Sequence, residues 1–163
     1  MNGYDIIDEA VVDAPADVVW DALVAEFRGA ARWWVPANTF ETVSGAPDEV
    51  GGLVAVTVHT KGVGNGGPKL RFTARTESVV PGRRMTVEYV DGDFRGPADF
   101  ILEPLDDGRR TRIAMHFRGR PHGGKLKLMS KVADIGAEHS KAALAAFVAL
   151  GKQLSAVPAG GAR

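Results

Sequence analysis

Apolar and polar positions in this chain repeat with two different periods, and the change of period divides it into elements. From Gly124 to Leu154 the repeat is helical. Leu128, Val132, Ile135, His139, Ala143, Ala146 and Leu150 fall in one stripe at 100° per residue, while Lys127, Ser130, Asp134, Ala137 and Lys141 face away. Gly123-Gly124 opens the stretch and Pro158 follows its end. Read as one helix it would be ~46 Å long, and it needs a broad apolar surface to lie on.

Near the start, Tyr4 to Val12 reads as a strand, and Asp13-Ala14-Pro15 as a helix start with the proline in the first turn. Trp20, Leu23, Val24 and Phe27 then make one face of a short helix. Ala30 to Trp34 is expected to form a second short helix, ended by Pro36.

From there the period drops to two. Leu53–Thr60, Leu70–Val80, Met85–Val90, Phe94–Leu105 and Thr111–Arg118 read as strands, with Thr39–Val43 a further candidate. Pro81-Gly82, Asp91-Gly92 and Asp107-Gly108 are the turns of antiparallel neighbours. Leu70, Phe72, Ala74 and Thr76 share a side, as do Met85, Val87 and Tyr89. So do Phe94, Ala98, Phe100 and Leu102, and then Ile113, Met115 and Phe117. Their alternates, Arg71, Arg75, Glu88, Asp99 and His116 among them, are polar. In Leu53–Thr60 both faces are apolar enough that the inward one stays open, and His59 with it. A sheet with one apolar face needs a cover, and the C-terminal helix is the obvious one.

This order of elements carries a resemblance. Val11-Val12-Asp13-Ala14-Pro15-Ala16-Asp17-Val18-Val19-Trp20-Asp21-Ala22-Leu23 resembles the opening of the START-like/SRPBCC superfamily. Arg32-Trp33-Trp34 is similar to that family's second short helix. Leu102-Glu103-Pro104-Leu105-Asp106-Asp107-Gly108, running into Thr111-Arg112-Ile113, is similar to its penultimate hairpin. The resemblance implies an α+β helix-grip fold. About seven antiparallel strands would curve around a long C-terminal helix, with two short helices after the first strand and a cavity between sheet and helix. It carries no catalytic set, because members share shape more than chemistry.

Composition narrows the class. The length of 163 residues suits a single domain, expected over 1–156 with a flexible Ala/Gly-rich tail at 157–163, and 45% hydrophobic residues suffice for a core. Lys plus Arg equals Asp plus Glu at 20 each, which speaks against nucleic acid as a partner and against an anionic membrane surface. No apolar run is long enough for stable membrane insertion. Cysteine is absent, which excludes disulfides and thiol chemistry. With no signal-peptide pattern at the N-terminus, the expectation is a cytoplasmic protein, monomer or homodimer.

Several motifs look like chemistry. Gly62-Val63-Gly64-Asn65-Gly66-Gly67 satisfies G-x-G-x-x-G, but Pro68 and a strand follow where a dinucleotide site needs a helix. It reads as a hairpin loop, a flap at one end of the cavity. His59, His116, His122 and His139 have no metal-ligand spacing, so no metal and no cofactor is expected. Arg118, Arg120, Lys125, Lys127 and Lys131 read as a solvated basic face.

His139, at the centre of the helical stripe, is either a core histidine or a cavity-wall proton donor and acceptor. Tyr89 ends an inward series, so its hydroxyl needs a partner in protein, water or ligand. Of Trp33 and Trp34, one is expected in the core and the other at the cavity mouth.

The leading expectation is therefore a binding protein for a small hydrophobic ligand, aromatic, polyketide-like or lipid-like. Trp33, Trp34, Phe72, Met85, Phe100, Met115 and Ile135 would line the site, and His139 and Tyr89 would supply its polar contacts. By the same resemblance, the cavity would fold a poly-carbonyl chain as a polyketide cyclase/dehydratase does, with His139 or Tyr89 as the acid/base group. An alternative from another class is a co-chaperone-like interaction domain, which expects a filled interior and an exposed apolar patch.

Overall fold

The computed structural model describes residues 3–131 and 133–155. Val132 of the expected stripe, Pro158 and the expected tail at 157–163 lie outside these. One antiparallel sheet dominates. Its strands are β1 (Ile6–Val12), β2 (Asn38–Ser44), β3 (Leu53–His59), β4 (Lys69–Val80), β5 (Arg84–Gly92), β6 (Phe94–Leu105) and β7 (Arg110–Phe117), in the order β1-β7-β6-β5-β4-β3-β2. A two-residue β8 (Arg120–Pro121) pairs with the start of β6. Helix α1 (Ala16–Phe27) follows β1, and α2 (Lys125–Met129) and α3 (Ile135–Ser155) follow β8. This is the helix-grip arrangement, a curled half-barrel around a C-terminal helix.

The short turns make neighbours of consecutive strands β2 to β7, and β1 closes onto β7, with Ile6 opposite Phe117 and Val12 opposite Thr111. Curvature has local causes. Gly92 has φ 84° opposite Phe72, and a Cβ there would stand 2.1 Å from the Arg71 carbonyl oxygen. Gly96 (φ 112°) lies where β6 leaves β5 for β7 and β8, and its added Cβ would meet Arg118 O at 3.2 Å. Only glycine lets the strands bend that closely.

The inward series of β4 to β7 are buried as the alternation predicts. In β3 the inward face is Val54, Val56 and Val58. Asp99 sits on the polar side yet is only 2% exposed. Thr86 Oγ1 donates to it at 2.6 Å, Arg118 at 2.7 Å, and Arg84 lies over it at 3.3 Å. Elsewhere on the basic face Lys125 Nζ donates to Lys69 O.

Two expected helices are absent in the form read from sequence. Ala30–Trp34 is irregular, with bends at Arg32, Trp33 and Trp34. The buried carboxylate of Glu26, at the end of α1, accepts the backbone N–H groups of Arg32, Trp33 and Trp34 at 2.9–3.2 Å. Those donors are spent on a side chain, and Ala31 has φ 53°, so no helical ladder starts.

The Gly124–Leu154 stretch is likewise two helices, α2 and α3. Asp134, read from periodicity as an outward helical position, caps the second by accepting the Ala137 N–H at 3.0 Å. The break rotates the preceding turn, so Leu126 is fully buried while Leu128, the expected stripe residue, is 67% exposed.

Candidate functional site

Between the concave face of the sheet and α3 lies a cavity of about 560 Å³. The helix leaves space because it presents small side chains there: Ala142 and Ala143 stand beside Ile135 and His139 on the wall it contributes. Its larger buried residue, Phe147, packs instead edge-on to Trp34, with ring centroids 6.0 Å apart. A void of this size and apolar character is within the range of small-molecule sites, and it is the opposite of the filled interior that the interaction-domain alternative expects.

Two aromatic groups frame the space. Around Met85 and Phe100, Trp34 meets Phe27, Phe40 and Phe100 at 5.6–6.4 Å. Two inward positions further along β5, Tyr89 meets Phe72 at 4.8 Å and Phe117 at 5.9 Å. Phe117 in turn stacks on His139 at 4.5 Å. Mixed edge-on and offset geometries of this kind hold rings firmly in position.

The polar lining is sparse. Tyr89 is buried, yet among the described residues its hydroxyl has no protein partner and is not sealed off, so it opens onto the void. Burial raises its pKa well above the ordinary tyrosine value, which keeps it a neutral phenol able to donate or accept. His139 is pushed below its ordinary 6.5 mainly by burial, against an opposing pull from Asp8. It is therefore a neutral imidazole near pH 7.

At the mouth, His59 ends β3 with Nε2 2.8 Å from Thr39 Oγ1. Its pKa is lowered by burial and then by the charges of Lys69 and Arg71. The glycine-rich loop also reaches the mouth through Lys61, Gly62 and Asn65, whose Nδ2 donates to Lys61 O at 3.0 Å.

His139, Tyr89, Trp34, Phe72, Met85, Phe100, Met115 and Ile135 all lie on the cavity wall. Trp33 does not. It is 1% exposed and its indole N–H donates to Ala22 O at 3.2 Å, which ties it to α1 and the core. The two indoles pack against each other with centroids 5.1 Å apart, and only Trp34 reaches the void, as a buried wall residue and not at the mouth. Sequence reasoning missed Phe94 and Phe117 as wall residues, although their alternation marked them as inward. It also missed Asp8, a buried acid in a strand whose one other acid, Glu9, faces water.

The fold and its void define a helix-grip protein with an internal apolar cavity. The chain belongs to the polyketide cyclase / dehydrase and lipid transport family, whose model matches residues 6–150. Among solved structures it is similar to a START superfamily protein from Mycobacterium smegmatis, with TM-score 0.71 and 12% identity over 96% of this chain and 100% of that one. It is also similar to the Zhui aromatase/cyclase from Streptomyces sp. R1128, with TM-score 0.68 and 20% identity over 98% and 99%. A third likeness is to the ginseng major latex-like protein 151 from Panax ginseng, with TM-score 0.62 and 12% identity over 94% and 98%. At these identities the likeness establishes the fold alone. No curated protein matches the sequence significantly. No helix among the described residues is long and apolar enough to cross a membrane.

Proposed function

We propose that the protein binds one small hydrophobic molecule, aromatic, polyketide-like or lipid-like, in the space between the sheet and α3. The observation that carries this is the 560 Å³ void walled by aromatic and aliphatic side chains, with the Tyr89 phenol in its lining unpartnered among the described residues. Affinity would come from ligand surface buried at about 25 cal/mol per Å² before ordering costs. Trp34, Phe72, Met85, Phe100, Met115 and Ile135 supply the apolar contacts, and Tyr89 and His139 fix orientation.

Native mass spectrometry of gently purified protein tests this reading. The expected result is one small apolar compound per chain, released on denaturation. A chain that carries nothing, and takes up nothing from a panel of aromatic and fatty-acid compounds, contradicts it.

A second reading is favoured by one feature, a neutral imidazole on α3 and a phenol on β5 lining the same cavity, in a member of a family described by cyclase and dehydrase activity. In it, the cavity folds a poly-carbonyl chain, and His139 or Tyr89 moves protons for aldol closure and loss of water. A carrier keeps affinity without turnover. In the enzyme with His139 as the acid/base group, His139→Ala abolishes product while most of the affinity is kept.

A further inference from the structure

The seam between β1 and α3 holds an arrangement that packing alone does not require. Asp8, on β1, is 7% exposed, in a position where an apolar residue would seal the seam. Its Oδ2 stands 3.7 Å from Nδ1 of His139 on α3. Both atoms are shut off from solvent and neither has a hydrogen-bond partner among the described residues. A buried carboxylate oxygen without a donor is costly, and the imidazole N–H is the donor at hand. The other ring nitrogen, Nε2, is neither sealed nor bonded to protein among the described residues, and the ring lines the cavity.

We propose that Asp8 is a positioning residue that holds His139 in the Nδ1–H tautomer, so that Nε2 presents its lone pair to the cavity. The stack of the imidazole on Phe117, with planes 12° apart, fixes the ring's plane, and Asp8 selects which edge faces inward. A carboxylate beside one ring nitrogen sets the protonation of both.

This adds a chemical requirement to the ligand. At His139 the cavity offers an acceptor only, and at Tyr89 a hydroxyl that donates or accepts, both residues packing on Phe117. The group that meets His139 is therefore a donor, the hydroxyl of a phenol, an enol or an alcohol carried on an apolar body. A molecule whose only polar group is an ether or ketone satisfies Tyr89 and leaves Nε2 unpaired. The ligand requirement rests on the binding reading, whereas the tautomer is a property of the empty protein.

Long-range ¹H–¹⁵N correlation spectra of the ¹⁵N-labelled full chain, ligand-free at pH 8, test the proposal directly. In the wild type, His139 is expected to show a protonated-type Nδ1 and an unprotonated-type Nε2. In Asp8→Ala the population shifts toward Nε2–H, the form a free imidazole prefers, and Asp8→Glu restores the wild-type order. An Nε2–H form in the wild type overturns the proposal, as does a pattern unmoved in Asp8→Ala. If Asp8→Ala does not fold, the wild-type spectrum decides alone. Failure of ligand capture with the Nδ1–H tautomer intact would count against the binding reading and not against this pair.

Discussion

The imidazole of His139 lies almost flat on the ring of Phe117, centroids 4.5 Å apart and planes 12° from parallel. That contact takes a titratable group from the helix and presses it against the apolar face of the sheet, where its charged form is poorly solvated. The folded pKa is lowered from 6.5 as a result. A histidine depressed on folding binds its proton more readily in the unfolded chain, so it favours the native state least in acid. The stability advantage of wild type over His139→Gln is therefore expected to shrink as pH falls through 6.5 toward the lower folded value, measured by urea unfolding from pH 8 to pH 5. An advantage that grows on acidification would mean that the pull of Asp8 outweighs burial.

Glu26 organises the segment that delivers Trp34 to the cavity. Its carboxylate is 1% exposed and holds three consecutive backbone N–H groups. Glu26→Ala is expected to cost on the order of 3 kcal/mol, read from denaturant midpoints. Glu26→Gln, which keeps an acceptor oxygen, should recover part of it. A loss below about 0.5 kcal/mol in the alanine variant would show that the segment is held by its tryptophans alone.

Asp134 starts α3 through its hydrogen bond to the Ala137 N–H. Asp134→Ala should destabilise by about 1 kcal/mol, with Asp134→Ser close to wild type. An alanine variant as stable as wild type would argue that α2 and α3 join into one helix without penalty.

Tyr89→Phe separates packing from recognition. The ring stays among Phe72 and Phe117, and the hydroxyl that is removed has no protein partner among the described residues. Thermal stability of the empty protein should change by less than about 0.5 kcal/mol. Affinity for a bound hydroxylated or carbonyl ligand should fall by roughly 1 kcal/mol, several-fold. A large stability loss with unchanged affinity would place the hydroxyl in the protein's own network.

What was legible in the sequence follows from which forces act locally. Alternation over Leu70–Thr76 and Met85–Tyr89 specified the inward face because burial on a pleated strand has period two and little competes with it. The stripe Ile135, His139, Ala143 located the cavity's roof for the same reason. Helix continuity was not legible by period, since an apolar repeat runs on across a break; the Asp134 cap was the signal, and periodicity masked it. The Ala30–Trp34 bends depend on a carboxylate from the preceding helix, and the Asp8–His139 pair joins positions brought together only by the β1–α3 seam. Neither has a local signature.

The central claim is that the void receives a ligand, and filling it from within tests that claim most directly. Ala143 is 1% exposed and lies on the roof, so Ala143→Phe projects a ring into the space. Titration with the fluorophore 1-anilinonaphthalene-8-sulfonate should show saturable one-to-one binding with blue-shifted emission in the wild type. In Ala143→Phe, with circular dichroism unchanged, affinity should be weaker by about tenfold or more, a loss near 1.4 kcal/mol. Equal affinity in the filled variant, or binding that never saturates in the wild type, would contradict an internal site.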